Sequence, residues 1–96
     1  MIHLNVHLTV KEAANVEEVA ELLKEQCRQS RAEPGCAHFN VYHSQSEPQS
    51  FLLVEHWESA EALDAHRNAP AFNEIYKPKV LPLVDRVPHE CDLLVS

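Results

Sequence analysis

Glycine is almost absent from this 96-residue chain, in which Gly35 is the single example. A Walker loop, a dinucleotide-binding GxGxxG turn and an EF-hand each need glycine where the backbone approaches a phosphate or turns sharply. The scarcity of glycine therefore excludes the common routes to nucleotide and calcium binding. The chain is also too short for two domains, so a single domain over residues 1–96 is predicted.

Basic residues are scarce too, since 8 Lys and Arg stand against 15 Asp and Glu, which gives a formal charge of −7 with neutral histidines. A polyanion would be repelled, which argues against a nucleic-acid partner. No run of about 18 apolar residues is present, and the first residues lack a basic stretch followed by an apolar one. These absences predict a soluble, cytoplasmic protein with no membrane partner.

Cysteine is limited to Cys27, Cys36 and Cys91, which form no CxxC pair. An odd number of cysteines fits a reducing compartment better than a disulfide framework. We expect buried free thiols, because no side chain is obviously placed to stabilise a thiolate at Cys36.

Histidine is the abundant exception, with seven residues in the chain. No HExxH, HxH or two-histidine-one-carboxylate spacing is present. His3 and His7 would lie roughly 13 Å apart on a strand, which is too far for both to bind one ion. We therefore expect no metal ion and no other cofactor.

Alternating hydrophobicity predicts four strands. Residues 2–10 alternate and have one apolar face, and residues 36–44 alternate again. Residues 51–58 carry apolar side chains at both odd-numbered and even-numbered positions, which is typical of a strand buried on both faces. A polar loop at 44–50 joins these two segments as a hairpin, and a last strand is expected over about 87–95.

Helical periodicity predicts two helices between these strands. The first is expected from about residue 16 to residue 31, with Asn15 as its N-cap. Ser59 should cap the second, which is short. Pro70 should open a following turn, and Pro78 should end or kink it.

The resulting β-α-β-β-α-β order predicts an α+β protein with a ferredoxin-like fold, in which a four-stranded antiparallel sheet carries both helices on one face. Two helices can dry only one side of such a sheet, whereas the strand at 51–58 requires both sides dry. Burying a large apolar side chain is worth about 1.5–3 kcal/mol. We therefore expect a homodimer whose two sheets face each other and form a dimeric α+β barrel.

A group of polar and aromatic side chains is the candidate site. The residues expected to point toward one end of a cavity between sheet and helices are Asn5, Trp57, His66 and Tyr76. Glu55 lies in an otherwise dry strand, so its carboxylate must be paired or have a raised pKa. Trp57 alone and His66 alone also fit ordinary core positions, and a merely structural ion pair stays open for Glu55.

Four segments form a combined pattern: the EPGC turn at 33–36, FLLVEHWES at 51–59, ALDAH at 62–66 and PAF at 70–72. Together, and over nearly the whole chain, they resemble the antibiotic biosynthesis monooxygenase domain of the dimeric α+β barrel superfamily. The resemblance implies a ferredoxin-like homodimer with a hydrophobic cavity in each subunit. Members include cofactor-free monooxygenases, haem-degrading enzymes and a signalling-molecule isomerase.

The resemblance also implies roles for single residues. Trp57 matches the tryptophan of the cofactor-free monooxygenases, and Asn5 matches the first-strand asparagine of the haem-degrading branch. In that branch the haem-ligating histidine falls on Tyr76 and the tryptophan that distorts haem falls on His66. The axial imidazole is therefore missing, and haem degradation is not expected.

A flavin-free oxygenase must make its substrate the electron donor, because triplet oxygen does not react directly with a closed-shell phenol. Such an enzyme needs a base, donors to the substrate anion and exclusion of water. His66 is the predicted base, and Asn5 and the Trp57 N–H are the predicted donors. The predicted substrate-binding residues are Glu55, Phe51, Leu53, Phe72, Ile75 and Tyr76.

We therefore expect a cofactor-independent monooxygenase acting on a small hydroxylated aromatic or quinol. A non-enzymatic dimer that binds a small apolar ligand is the chief alternative, and an isomerase on the same scaffold is the third. The residues that line a pocket vary freely among proteins of one fold, so the predicted fold does not identify the substrate.

Overall fold

Four strands and three helices make up the chain in a computed structural model, which describes all residues from Met1 to Ser96. In chain order the elements are β1 (Ile2–Val10), α1 (Val16–Ser30), β2 (Cys36–His43), β3 (Ser50–Trp57), α2 (Ala60–Arg67), α3 (Ala71–Val80) and β4 (Val84–Cys91). Short 3₁₀ turns at Ala13–Asn15 and Leu81–Leu83 precede α1 and β4, and α3 is wound as a π-helix. None of the helices combines the length and the hydropathy that a bilayer-spanning segment needs.

The four strands form one antiparallel sheet in the order β2-β3-β1-β4. The central strands β1 and β3 are paired from Ile2 opposite Trp57 to Thr9 opposite Ser50. The edge strand β4 pairs with the other side of β1, with Val84 opposite Val10. This topology confirms the predicted α+β, ferredoxin-like fold.

One face of the sheet carries the core. The alternate β1 residues from Leu4 to Val10 are buried beneath the helices, as are the odd-numbered β3 residues from Phe51 to Trp57. The apolar stripe of α1, formed by Val19, Leu23 and Cys27, belongs to the same core. Each large apolar side chain buried in this way contributes about 1.5–3 kcal/mol, so this face supplies most of the hydrophobic stabilisation.

The opposite face of the sheet has no helix on it and is called the open face below. Its side chains are His3, Asn5, His7 and Thr9 of β1, His38, Asn40 and Tyr42 of β2, Leu52, Val54 and His56 of β3, and Asp85, Val87, His89 and Cys91 of β4. Leu52 and Val54 are half-buried. Within one chain, therefore, β3 is dry on the helix side only.

The predicted start and end of α1 are confirmed to within one residue, and Asn15 occupies the N-cap position, but without a capping side chain. Asn15 ends a 3₁₀ turn, and its side chain accepts no capping hydrogen bond. Glu17 and Glu18 in the first turn place negative charge at the positive end of the helix instead. The Ser59 cap of α2 is confirmed, because its hydroxyl oxygen accepts a hydrogen bond from the Ala62 N–H at 3.1 Å.

The last third of the chain differs from the prediction in two places. Pro78 does not end its helix, since α3 continues to Val80 with the wider winding of a π-helix. The last strand spans 84–91 rather than 87–95, because its pairing with β1 runs from Val84 opposite Val10 to Cys91 opposite His3, near the start of β1. The apolar residues after β4 are exposed, with Leu94 at 90%.

Candidate active site

His66 lies in the core because α2 presents one narrow apolar side to the sheet. Leu63 and His66, one helical turn apart, are the buried residues of this helix. The His66 side chain is 3% exposed. Its ring lies at a centroid distance of 4.4 Å from Trp57 and is tilted by 31°. An imidazole is thus held rigidly against the inner face of β3.

Glu55 is a carboxylate on the buried side of β3, between Leu53 and Trp57. It is 4% exposed, and the Trp57 indole N–H donates a 3.0 Å hydrogen bond to its Oε1. The same oxygen lies 3.9 Å from His66 Nε2. The alternation of β3 forces this arrangement, because every second side chain of the strand points under the helices.

Glu33 reaches the same place from the turn between α1 and β2. Its Oε1 lies 2.6 Å from His66 Nδ1. The turn closes by a 3.1 Å hydrogen bond from the Cys36 N–H to the Glu33 carbonyl. Gly35 has φ +83°, and a Cβ at this position would collide with the Cβ of Ala62. The close approach of the turn to α2 brings Glu33 against His66.

Burial shifts the pKa values of Glu33, Glu55 and His66 in the direction that favours the neutral form of each. It raises the pKa of Glu33 to about 7 and lowers the pKa of His66. The pKa of Glu55 is also raised by burial, although the Trp57 hydrogen bond partly offsets this. One proton on the 2.6 Å contact between Glu33 and His66 leaves the least buried charge there. That proton can pass between carboxylate and imidazole.

Aromatic rings surround this group. The His66 ring lies 6.0 Å from Phe39 and 5.7 Å from Phe72, with the Phe72 ring edge-on. Phe72 lies only 5.3 Å from Tyr76 and is half-buried, whereas Tyr76 is fully buried. The His66 imidazole is therefore enclosed by rings, of which Phe72 is the one next to solvent.

Tyr76 brings a positive charge close to the group. Its hydroxyl oxygen accepts a 2.9 Å hydrogen bond from Arg86 Nε. Burial raises the pKa of Tyr76, and the guanidinium partly offsets that shift. The Tyr76 O–H therefore stays protonated at neutral pH. It remains available as a donor that the cation polarises.

Asn5 does not join the other candidate residues. It lies on the open face, opposite Val54 and His89, and its Nδ2 donates a 3.3 Å hydrogen bond to Cys91 Sγ. Trp57 and His66 lie on the other side of the sheet, so the expectation of one shared cavity end is wrong for Asn5. The cause is strand alternation, since Asn5 has the opposite parity to Leu4 and Val6.

The predicted space between sheet and helices is filled by side chains. Two cavities are present, and both open elsewhere. The larger one, of about 350 Å³, lies near the hairpin and is lined by His7, Tyr42, His43, Ser44, Ser50, Phe51 and Leu52. Of the predicted wall residues, Phe51 lines this cavity, whereas Leu53 and Ile75 are buried within the protein.

Metal-binding and thiol chemistry have little support in the geometry. No three His, Cys, Asp or Glu side chains lie in an arrangement that could hold a metal ion. The three cysteines are free, and only Cys27 is fully buried. Burial raises the pKa of Cys27 and of Cys36, which disfavours their thiolates.

Glu33 and Arg86 are the residues that the sequence analysis missed. Glu33 lies 33 positions before His66, and Arg86 lies 10 positions after Tyr76. The EPG sequence did provide a signal for Glu33. It predicts a tight turn, and a carboxylate in a tight turn that packs against a helix contacts the side chains of that helix. Nothing local to Arg86 indicated its partner.

Comparison with known proteins agrees with this geometry. The family model described as antibiotic biosynthesis monooxygenase matches residues 1–78. A Bacteroides thetaiotaomicron protein of unknown function, described as a possible oxidoreductase, is 29% identical with a TM-score of 0.87 and 96% of each chain covered.

Other relatives extend the comparison. A crystal structure of an antibiotic biosynthesis monooxygenase is 23% identical, with a TM-score of 0.89 and coverage of 99% of this chain and 100% of that one. At this identity the similarity concerns the fold alone. The uncharacterised Synechocystis protein sll1783 is 44% identical over 45 residues, which are 47% of this chain and 31% of that protein. The motifs, the topology and the family match agree: this chain belongs to the antibiotic biosynthesis monooxygenase family.

Proposed function

We propose that the protein is a cofactor-independent monooxygenase that oxidises a small hydroxylated aromatic or quinol with O2. The observation that carries the proposal is the buried His66, held at 2.6 Å from Glu33 and facing Glu55 on its other side. Oxygenation without a flavin begins with removal of a proton from the substrate. A desolvated imidazole backed by a proton-sharing carboxylate is suited to that step.

For a phenol the reaction balances as phenol plus O2 giving quinone plus water. With the shared proton on His66 Nδ1, the free Nε2 removes the phenolic proton, and the phenolate then supplies electrons to O2. One oxygen atom forms a bond to a ring carbon that loses its hydrogen, and the other oxygen atom leaves as water. The phenolic proton and the hydrogen lost from the ring carbon both leave in the water. The substrate is oxidised by four electrons in total, and O2 accepts all four.

The roles of the side chains differ from the predicted ones in one respect. The Trp57 N–H donates to Glu55 and Asn5 lies on the open face, so neither predicted donor is free to bind a substrate anion at His66. The Tyr76 hydroxyl, polarised by Arg86, takes that role in the proposal. Trp57 instead orients Glu55 and supplies a flat apolar surface next to His66.

Substrate reaches His66 in this proposal by displacing Phe72. Phe72 contacts the imidazole edge-on, and it is the half-buried ring of the group. Its side chain excludes water while the site is empty, and an aromatic substrate would replace its ring contacts. Exclusion of water protects reduced oxygen intermediates from premature protonation.

We further propose that the protein works as a homodimer covered at the open face. Tyr42 and Val87 on that face are 55% and 52% exposed, and Leu52 and Val54 are half-buried. Asp85 is the only carboxylate among its side chains, on a chain whose formal charge is −7. Two copies that pack through this face therefore bring few like charges together.

Oxygen uptake tests the enzymatic proposal. Purified protein would be given a panel of quinols and naphthols with a chelator and without added flavin, while an oxygen electrode records uptake. Uptake above that of buffer and of heat-denatured protein supports the proposal. Asp64→Ala, a substitution at an exposed position on α2, is the control variant and should take up oxygen as fast as wild type. Uptake no faster than that of the denatured protein with every substrate would refute the activity.

A non-enzymatic ligand-binding protein is the second candidate, because the cavity of about 350 Å³ is partly apolar and open. Tyr42 and Leu52, which both lie on the open face, would contact a small aromatic molecule there, with His7 at its polar edge. Calorimetric binding of a naphthol that is not consumed, and that is weakened by Leu52→Ala, would favour this candidate over the oxygenase.

A further inference from the structure

Five of the seven histidines lie on the open face, namely His3, His7, His38, His56 and His89. Three of them, His38, His56 and His3, lie side by side across β2, β3 and β1 and are called the histidine row. His38 stacks on His56 at a centroid distance of 4.6 Å. His3 meets His56 edge-on at 4.4 Å. The strand register fixes these contacts.

The row has no negatively charged partner on its face. His7 and His89 form a separate pair at 5.7 Å, and Cys91 lies opposite His3. The single carboxylate of the face, Asp85, is opposite Thr9, at the other end of β1 from His3. Burial lowers the pKa of His56, and the neighbouring His3 and His38 lower it further. A proton on the row is therefore opposed by its surroundings.

A second copy of this chain is the occupant that the face fits. Strands about 4.8 Å apart and roughly eight residues long at 3.3 Å per residue make a flat area on the order of 500 Å². A stable interface needs roughly 800 Å² of accessible surface per partner, and protruding side chains such as Tyr42 increase the accessible area beyond the flat one. Covering the face desolvates all three imidazoles of the row.

We infer that the histidine row makes the association of two copies through the open face dependent on pH, so that the copies separate on acidification. The inference rests on the homodimer proposed above. Neutral imidazoles pack against the facing copy, whereas protonated ones place like charges about 4.5 Å apart in a covered interface. The row thus acts as a proton-sensitive part of the interface.

The direction in which pH changes the association of two copies follows from proton linkage. Covering the row disfavours the charged imidazole, so the associated form binds fewer protons than the separate chains. Because the pKa of His56 is lowered from its ordinary value of 6.5, association is at full strength at neutral pH and weakens as the pH falls below that value.

The overall charge of the chain predicts the opposite trend. Protonation of all seven histidines would cancel the formal charge of −7, and the long-range repulsion between two copies would vanish. An interface without the row would therefore strengthen on acidification. The direction of the pH effect distinguishes the local contacts from the overall charge.

Sedimentation equilibrium of the full chain at pH 8.0 and pH 5.5 tests the inference, over a concentration series at fixed ionic strength. We expect a dimer at pH 8.0 and a dissociation constant more than tenfold larger at pH 5.5. His56→Gln, which keeps a polar side chain but cannot be protonated, should lose most of this pH effect, and His38→Gln should lose part of it. Circular dichroism checks that each variant is folded.

His43→Gln is the matched control, because His43 lies on the helix side of β2, stacked on Phe51. It should keep the wild-type pH effect. A dimer of equal or greater strength at pH 5.5 would overturn the inference and leave the homodimer in place. A monomer at both pH values would overturn the homodimer itself, and with it the inference. An unchanged pH effect in His56→Gln would overturn the role of the row and assign the effect to other groups.

Discussion

The two faces of the sheet surround their histidines with different neighbouring groups. On the covered face, His66 is buried and lies between Glu33 and Glu55. On the open face, His56 contacts only other imidazoles among its ring neighbours. Burial lowers the pKa of both histidines, but a carboxylate opposes that shift only at His66. Neighbouring groups, and not residue type, therefore distinguish the proposed base from the proposed proton-sensitive contact surface.

The largest expected effect comes from the covered face. His66→Ala should lower the rate of substrate oxidation by about 100-fold or more, because general base catalysis typically contributes that much. Oxygen uptake under single-turnover conditions measures the change. His66→Gln, which can still bond to Glu33, provides a folded comparison. A rate within threefold of wild type in both variants would remove His66 from the mechanism.

The second-largest effect is expected from Trp57→Phe, which should lower the stability of the fold. The substitution removes the N–H that donates to Glu55 Oε1 and leaves a buried carboxyl group without that bond. A loss of about 1–3 kcal/mol in the free energy of unfolding is expected. Urea denaturation followed by circular dichroism provides the value. Tyr42→Phe, an aromatic substitution on the open face, should change stability by less than about 0.5 kcal/mol.

Glu33→Gln should change the pH dependence of stability. A carboxyl group whose pKa is raised to about 7 when folded binds more protons in the folded state than in the unfolded one. Wild type therefore loses the contribution of this group as pH rises from its ordinary pKa of 4.5 to about 7. The loss is on the order of 1–2 kcal/mol, because water at the partly exposed side of the carboxyl group weakens the effect of burial.

The variant should lack that loss, so its free energy of unfolding minus that of wild type should grow between pH 5 and pH 8. Urea titrations at the two pH values measure the difference. Glu61→Gln, at an exposed position on α2, should show no such pH trend. A difference that is flat with pH would indicate that Glu33 is ionised throughout.

The smallest effect is expected at Asn5. Asn5→Ala removes one hydrogen bond to Cys91 on the open face and nothing near His66. Stability should change by about 0.5 kcal/mol or less, and oxidation should stay within twofold of wild type. A loss of rate comparable to that of His66→Ala would contradict the separation of the two faces.

The fold was predictable because alternation and helical spacing are local properties. Strand β1 and helix α1 were located to within one residue. β4 was displaced because its position depends on where β1 provides a partner, which is a tertiary fact. The helix does not end at Pro78, because a π-helix accommodates the ring. Neither of these features could be predicted from neighbouring residues.

The candidate site was predictable only in part. His66 and Glu55 stood out because a histidine and a carboxylate interrupted apolar patterns. Asn5 could have been excluded from the sequence, since its parity already placed it away from Leu4 and Val6. The contact between Glu33 and His66 depends on how closely a turn approaches α2, which no periodicity encodes.

Gly35 links the contact between Glu33 and His66 to the close approach of the turn to α2. A side chain there would push the turn away from Ala62, and the lengthened Glu33 contact would no longer share its proton with His66. A substitution at this position would therefore damage both folding and the proposed activity. Directed evolution toward new substrates should leave residue 35 untouched and accumulate changes at Phe72.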